Sequence, residues 1–195
     1  MSIRLTKEPS KTRRVFVQGI DDLDRARNGG VAERGPAKKA AKPIRAYYIE
    51  LADLAKSVGT NGAKPSGWQY FVVSPDQTIE AIEINESADG QAQFAGTSGE
   101  DETKSLLHAI RAAENLHEDS PLEFEMRVLR IQGLYITCIW LSSSDPSSDQ
   151  FILCDSVAPT LVKNEAYTFG QILPKLEAMA IQRLRQNDLP DGQSA

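Results

Sequence analysis

The chain has 195 residues, 41% of them hydrophobic and 25% charged, with 22 Lys+Arg against 27 Asp+Glu and a formal net charge of −5. That length suits one domain with a genuine core and is short for two, and the composition is globular rather than disordered or fibrous. The charge is polarised: residues 1–45 hold 12 Lys+Arg against 5 Asp+Glu, net +7, and the remainder holds 10 against 22, net −12.

The longest apolar run, 133–141 (GLYITCIWL), is about half of the roughly 20 residues a membrane-spanning helix needs. Charges at Arg4, Lys7, Glu8, Lys11, Arg13 and Arg14 leave the first twenty residues no apolar stretch for a signal peptide. The expectation is a cytoplasmic protein with no membrane contact. Cys138 and Cys154 both lie in apolar, strand-like runs, which reads as buried reduced thiols rather than a disulfide framework.

Residues 1–42 are predicted to form a basic, weakly structured N-terminal arm. The stretch 28–42 (NGGVAERGPAKKAAK) is too poor in apolar surface to offset its ordering entropy and reads as a linker. Before it, Arg13, Arg14, Val15, Phe16, Val17 and Ile20 form a short basic and apolar patch, read as a docking segment or short strand.

A single acidic domain is predicted over residues 43–187. Ile44, Tyr47, Tyr48, Leu51, Leu54, Ala55 and Val58 recur at spacings of three and four, with Pro43 suited to the first helical position and Gly59 to the cap, which predicts a helix over 43–59. Residues 68–73 (WQYFVV) and 78–85 (TIEAIEIN) flank Ser74, Pro75, Asp76 and Gln77 and predict a hairpin. A short strand follows at 91–95. Residues 100–117 open with three acids and carry Leu106, Ile110, Ala113 and His117 on one face, a second amphipathic helix.

Residues 123–131 alternate as a strand until Leu129 and Ile131 break the phase, which suggests a bulge. Residues 134–141 are apolar on both faces, as in a central strand, and 150–155 (QFILCD) reads as the next. Phe169, Ile172, Leu173, Leu176, Ala180 and Leu184 form a third helical stripe, kinked or begun at Pro174. Residues 188–195 are a polar tail. The predicted fold is therefore α+β: an antiparallel sheet of five or six strands with three amphipathic helices mainly on one face.

Little in the sequence specifies a reaction. His108 and His117 are nine residues apart on one helix, half a turn out of phase, so they cannot share a metal. Gly96, Thr97, Ser98 and Gly99 precede a helix, but Glu100, Asp101 and Glu102 occupy the turn where a phosphate would sit. Glu80, Glu83, Glu123 and Glu125 could supply paired carboxylates if the fold brought them together, although charges on the open face of a sheet look the same. No cofactor or metal is expected.

The element order and acidity are similar to those of small secretion chaperones, without a shared motif, which implies binding of an extended partner segment. The sequence reading is a non-catalytic protein-interaction module, adaptor- or chaperone-like, with the arm as docking segment and another protein or a second copy as partner. A carboxylate-dependent hydrolase or transferase is the alternative. The third reading is a nucleic-acid-associated protein binding through the basic arm.

Overall fold

Val128, Ile139 and Ile152 are completely buried on adjacent strands, and so are Leu129 and Leu153 one residue further along. Successive side chains of a strand point to opposite faces, so this part of the sheet is covered on both. The computed structural model describes residues 3–27, 39–57, 59–74, 76–116, 122–155 and 160–187. Their elements, in chain order, are β1 (Ile3–Arg4), α1 (Ser10–Arg27), β2 (Lys39–Ala40), β3 (Ile44–Tyr48), α2 (Leu51–Ala55), β4 (Lys64–Val73), β5 (Ile79–Glu86), β6 (Ala92–Thr97), α3 (Glu100–Leu116), β7 (Phe124–Ile131), β8 (Ile136–Ser142), β9 (Gln150–Asp155), β10 (Ala166–Thr168) and α4 (Phe169–Asn187). No helix among them is long and apolar enough to cross a membrane.

The ten strands form one mixed sheet in the order β10-β9-β8-β7-β3-β4-β5-β6. Two features depart from the predicted antiparallel sheet of five or six strands. First, β3 runs parallel to β7 and antiparallel to β4, so it joins two antiparallel halves that are separate in sequence. Second, two-residue strands extend that seam, with β1 parallel to β7 at Phe124 and Glu125 and β2 antiparallel to β4 at Val73 and Val72.

The helices also divide between the faces instead of sharing one. α3 packs on the face formed by Phe71, Ala81, Val128, Ile139, Leu141, Ile152 and Cys154. α4 and α2 cover the opposite face over β7, β8 and β9, against Leu129, Ile131, Cys138, Trp140, Phe151 and Leu153. α1 covers the other half of that face, against Trp68, Tyr70, Val72, Ile82 and Ile84.

The segment read as a weakly structured arm is thus built into the fold, as a helix on a sheet face rather than a strand at an edge. Thr12, Phe16 and Gly19 are its buried residues, with Val15 and Ile20 packed beside them. Of the predicted linker, residues 28–38 lie outside the described residues, as do His117 and the tail 188–195.

Two further expectations change. Residues 44–48 are a strand, not the start of a helix: Ile44 and Ala46 are buried on the α3 face while Arg45 and Tyr47 point to the other, and only the short α2 follows. The register of β7 is unbroken from Glu125 to Ile131, so there is no bulge at Leu129. Leu129 and Ile131 are apolar because α2 and α4 cover the face that Arg127 shares. The hairpin of β4 and β5, the strand β6, the helix α3 and the strands β8 and β9 match the sequence reading. Pro174 lies within α4, one turn after its start.

Candidate functional site

A single row of residues crosses the face shared by α1 and α4, one from each strand. The registers align Phe94, Ile84, Trp68, Arg45, Arg127, Trp140, Phe151 and Tyr167 from β6 to β10. α1 covers the first three and α4 the last three. Between them, on the seam strands β3 and β7, two arginines stand side by side.

Like charges directly opposite on neighbouring strands repel, and the surroundings of each arginine compensate. The Arg45 guanidinium lies 4.8 Å from the Trp68 ring centroid and pairs with Glu86. Arg127 lies 4.5 Å from Trp140 and 4.9 Å from Tyr47, and bonds Glu125 at 2.7 Å. Aromatic faces attract cations, so each arginine has an ion pair at one side and a ring at another. Side-chain exposures of 15% for Arg45 and 20% for Arg127 mark them as lining a seam rather than free surface.

Glu125 also accepts a bond from the Thr6 hydroxyl, which ties the stretch between β1 and α1 to the seam. Burial raises the Glu125 carboxyl, but the bonds from Arg127 and Thr6 and the charges of Arg127 and Arg4 outweigh it and hold the group below its ordinary value. Asp149 is buried beside the same row. It accepts from Trp140 Nε1 at 2.8 Å and from the Ser143 backbone N–H at 2.8 Å, yet desolvation dominates and raises its carboxyl. Among the described residues, Arg127 Nε, Trp68 Nε1 and the Ser66 hydroxyl are buried and have no hydrogen-bond partner. The two arginines of the seam are matched by Glu86 and Glu125, and among the described residues the seam shows no nucleophile beside a base.

The four glutamates that could have formed a carboxylate site are each held by a different arginine: Glu80 by Arg27, Glu83 by Arg130, Glu123 by Arg4 and Glu125 by Arg127. Glu80 and Glu83 are an odd number of residues apart on β5 and face opposite sides of the sheet. Among the described residues no group of His, Cys, Asp and Glu is arranged to hold a metal. Cys138 and Cys154 are buried and unpaired, and burial raises both thiols, that of Cys154 to about 12. Thiols so placed are poor nucleophiles.

The residues expected to dock a partner split between two roles. Phe16 turns inward and Val15 and Ile20 pack beside it, whereas Arg13, Arg14 and Val17 are exposed. Arg13 pairs with Glu8 at 3.1 Å.

Beside α1 lies a further feature that sequence reasoning missed, the outer edge of β6. Among the described residues no strand pairs with it on the side away from β5. Its sequence, AQFAGT, holds no charge and no proline, the devices by which edges are usually blunted. The Ser87 N–H donates to the Gln91 carbonyl to close the hairpin. By alternation Gln93 turns its backbone groups to β5, while Ala92 and Phe94 turn theirs outward. The opposite edge, β10, is only three residues long and is preceded by Glu165.

Comparison with protein-family models, with curated proteins and with solved structures finds no match to this chain.

Proposed function

We propose that this chain is a non-catalytic protein-interaction module, adaptor- or chaperone-like, whose docking surface is the outward face of α1 together with the β6 edge beside it. The observation that carries this reading is the edge itself: six uncharged residues whose outward backbone groups have no strand beside them among the described residues. Such an edge is a template for an added strand, with main-chain bonds supplying affinity and neighbouring side chains selectivity. Arg13, Arg14 and Val17 of α1 are exposed on the helix that packs against β6.

Two observations weigh against the other readings. Each of the four candidate glutamates is paired with its own arginine, so these four do not form a carboxylate pair poised as acid and base. The exposed face of α1 alternates in sign through Arg14, Asp21 and Arg25, whereas a phosphate track calls for cations alone.

The test is affinity capture from the native cell with the full chain and with Gln93→Lys, which places a charge on the open edge at an exposed position. A partner held by the first and lost with the second supports the edge as docking site. Equal capture by both places the docking surface elsewhere.

A further inference from the structure

The three long helices hold the sheet unequally. α3 contributes Leu106, Ala109 and Ala113 as buried apolar side chains and α4 contributes Ile172, Leu176 and Ala180, whereas α1 contributes Phe16 alone, with Val15 and Ile20 only partly covered. The other two buried positions of α1 are Thr12 and Gly19. Thr12 lies one turn before Phe16 on the same face. It is completely buried, and its hydroxyl has no hydrogen-bond partner among the described residues. In the apolar cluster beneath the helix, the Trp68 indole N–H is orphaned in the same way. Buried polar groups without partners weigh against a docked helix, because undocking returns them to water. α3 also carries one such hydroxyl, that of Thr103, but against three buried apolar side chains.

The polar bonds that tie α1 down sit at its two ends. Lys11 Nζ donates to the Gly90 carbonyl, and Arg27, half exposed, pairs with Glu80 of β5. Glu8, just before the helix, accepts from the Tyr70 hydroxyl. Ion pairs as exposed as that of Arg27 add little. The strands beneath do not depend on α1 for their pairing. β4 and β5 are joined from Gly67 to Val73, and their opposite face stays covered by α3 through Phe71 and Ala81. Undocking therefore breaks the α1 contacts and no strand ladder.

We propose that α1 is a gate: it undocks from the sheet as a unit while the rest of the domain stays folded. The open form bares Trp68, Tyr70, Val72, Ile82, Ile84 and Phe94, an apolar face that the closed form hides. Elements that open separately from the core are those with few buried apolar contacts, and among the three long helices α1 has the fewest buried apolar side chains. The gate does not depend on the β6 edge, which Gln93→Lys probes separately.

Thiol labelling of the full chain tests the gate. Val72→Cys places a thiol of similar size in the floor under α1, while the native Cys138 and Cys154 lie buried in the clusters beneath α4 and α3. In native buffer the new thiol should react about tenfold faster or more than Cys138 and Cys154, because α1 opens more often than the domain unfolds. Ile172→Val, a mild loss in the α4 core, should speed the two native thiols and leave the rate of the new one unchanged. Thr12→Val, which removes the orphaned hydroxyl at nearly constant shape, should slow the new thiol by about threefold or more. Equal rates for all three thiols overturn the proposal, as does a new thiol that follows Cys138 in the Ile172→Val background or is indifferent to Thr12→Val. If Val72→Cys does not fold, hydrogen exchange of the unaltered chain decides the same question. The α1 amides must then exchange about tenfold faster or more than the central amides of α3 and α4, and equal protection refutes the gate.

Discussion

The Phe16 ring lies flat against Tyr70, with centroids 4.0 Å apart and planes within 8°. This stack joins α1 to the middle of β4, and the Tyr70 hydroxyl continues the contact by donating to Glu8 at 2.5 Å. Burial and that bond raise the Tyr70 phenol above its ordinary range, so it remains a donor at any physiological pH. Phe16→Ala would remove a buried ring whose partners are strand residues unable to close over the gap. The expected loss is about 3 to 5 kcal/mol, read by chemical denaturation, with limited proteolysis cutting within 10–27 well before the rest of the chain.

Gly19 makes a second contact that depends on the absence of a side chain. A Cβ at that position would lie 2.0 Å from the Phe94 ring, so the helix could not stay at its present height above β6. Glycine inside a helix normally costs about 1 kcal/mol relative to alanine; here the close approach outweighs that. Gly19→Ala is expected to destabilise the protein by roughly 1 to 3 kcal/mol through overpacking. Combination with Phe94→Ala should recover part of the loss in the same denaturation assay, whereas simple additivity would mean that the ring is not the obstacle.

These two contacts also explain why α1 escaped the sequence reading. Its buried stripe includes Thr12 and Gly19, a small polar residue and a residue with no side chain, so the apolar periodicity looked too sparse for a packed helix. Helices such as α3, whose stripe is carried by Leu106, Ala109 and Ala113, and hairpins closed by short turns were legible because their signals are local. The identity of β3 was not. Ile44, Tyr47, Tyr48 and Leu51 fit a helical spacing, but residues 44–48 are inserted between β4 and β7, with Ile44 and Ala46 buried on one face and Arg45 and Tyr47 half-buried on the other, and nothing in strand order reveals that insertion. The row of Trp68, Arg45, Arg127 and Trp140 depends on the same insertion, so its members were visible individually and their alignment was not. The uncharged stretch AQFAGT was visible too, but only the sheet order makes it an edge.

Asp149 supplies a pH-dependent prediction. Its carboxylate receives Trp140 Nε1 and the Ser143 N–H while its backbone carbonyl receives the Phe169 N–H at 3.0 Å, so it ties β8, the loop after it and the start of α4 together. Desolvation raises the folded carboxyl above its ordinary value despite those bonds. A folded value above the unfolded one means that the folded state binds the proton more readily. This group's contribution to stability is therefore fully present below the unfolded value and is lost as pH rises through the folded one. Asp149→Asn keeps an acceptor for one donor and cannot titrate. The stability difference between wild type and Asp149→Asn, followed by urea midpoints from about pH 3 to pH 7, should shift against wild type as pH rises; a constant difference would refute the linkage. Asp149→Ala, which leaves the Trp140 and Ser143 N–H groups without this acceptor, should cost about 1 to 3 kcal/mol, with the same drift against wild type as pH rises.

The last prediction concerns the arginine pair. Arg45 and Arg127 stand opposite each other in parallel register, and in a partly buried seam their repulsion is less screened than on open surface. Glu86, with a side-chain exposure of 11%, is the carboxylate that neutralises Arg45. Glu86→Gln would keep the shape and some hydrogen bonding while leaving two positive charges adjacent against one negative charge, that of Glu125. The expected loss is about 2 kcal/mol, between the values typical of exposed and of fully buried pairs. It should shrink as salt is added. Arg45→Met in the same chain removes the unbalanced cation but keeps an unbranched stem to lie on Trp68, so the double variant should be more stable than Glu86→Gln alone. That non-additivity is the signature to measure, since a seam held only by packing would give two independent losses and no salt dependence.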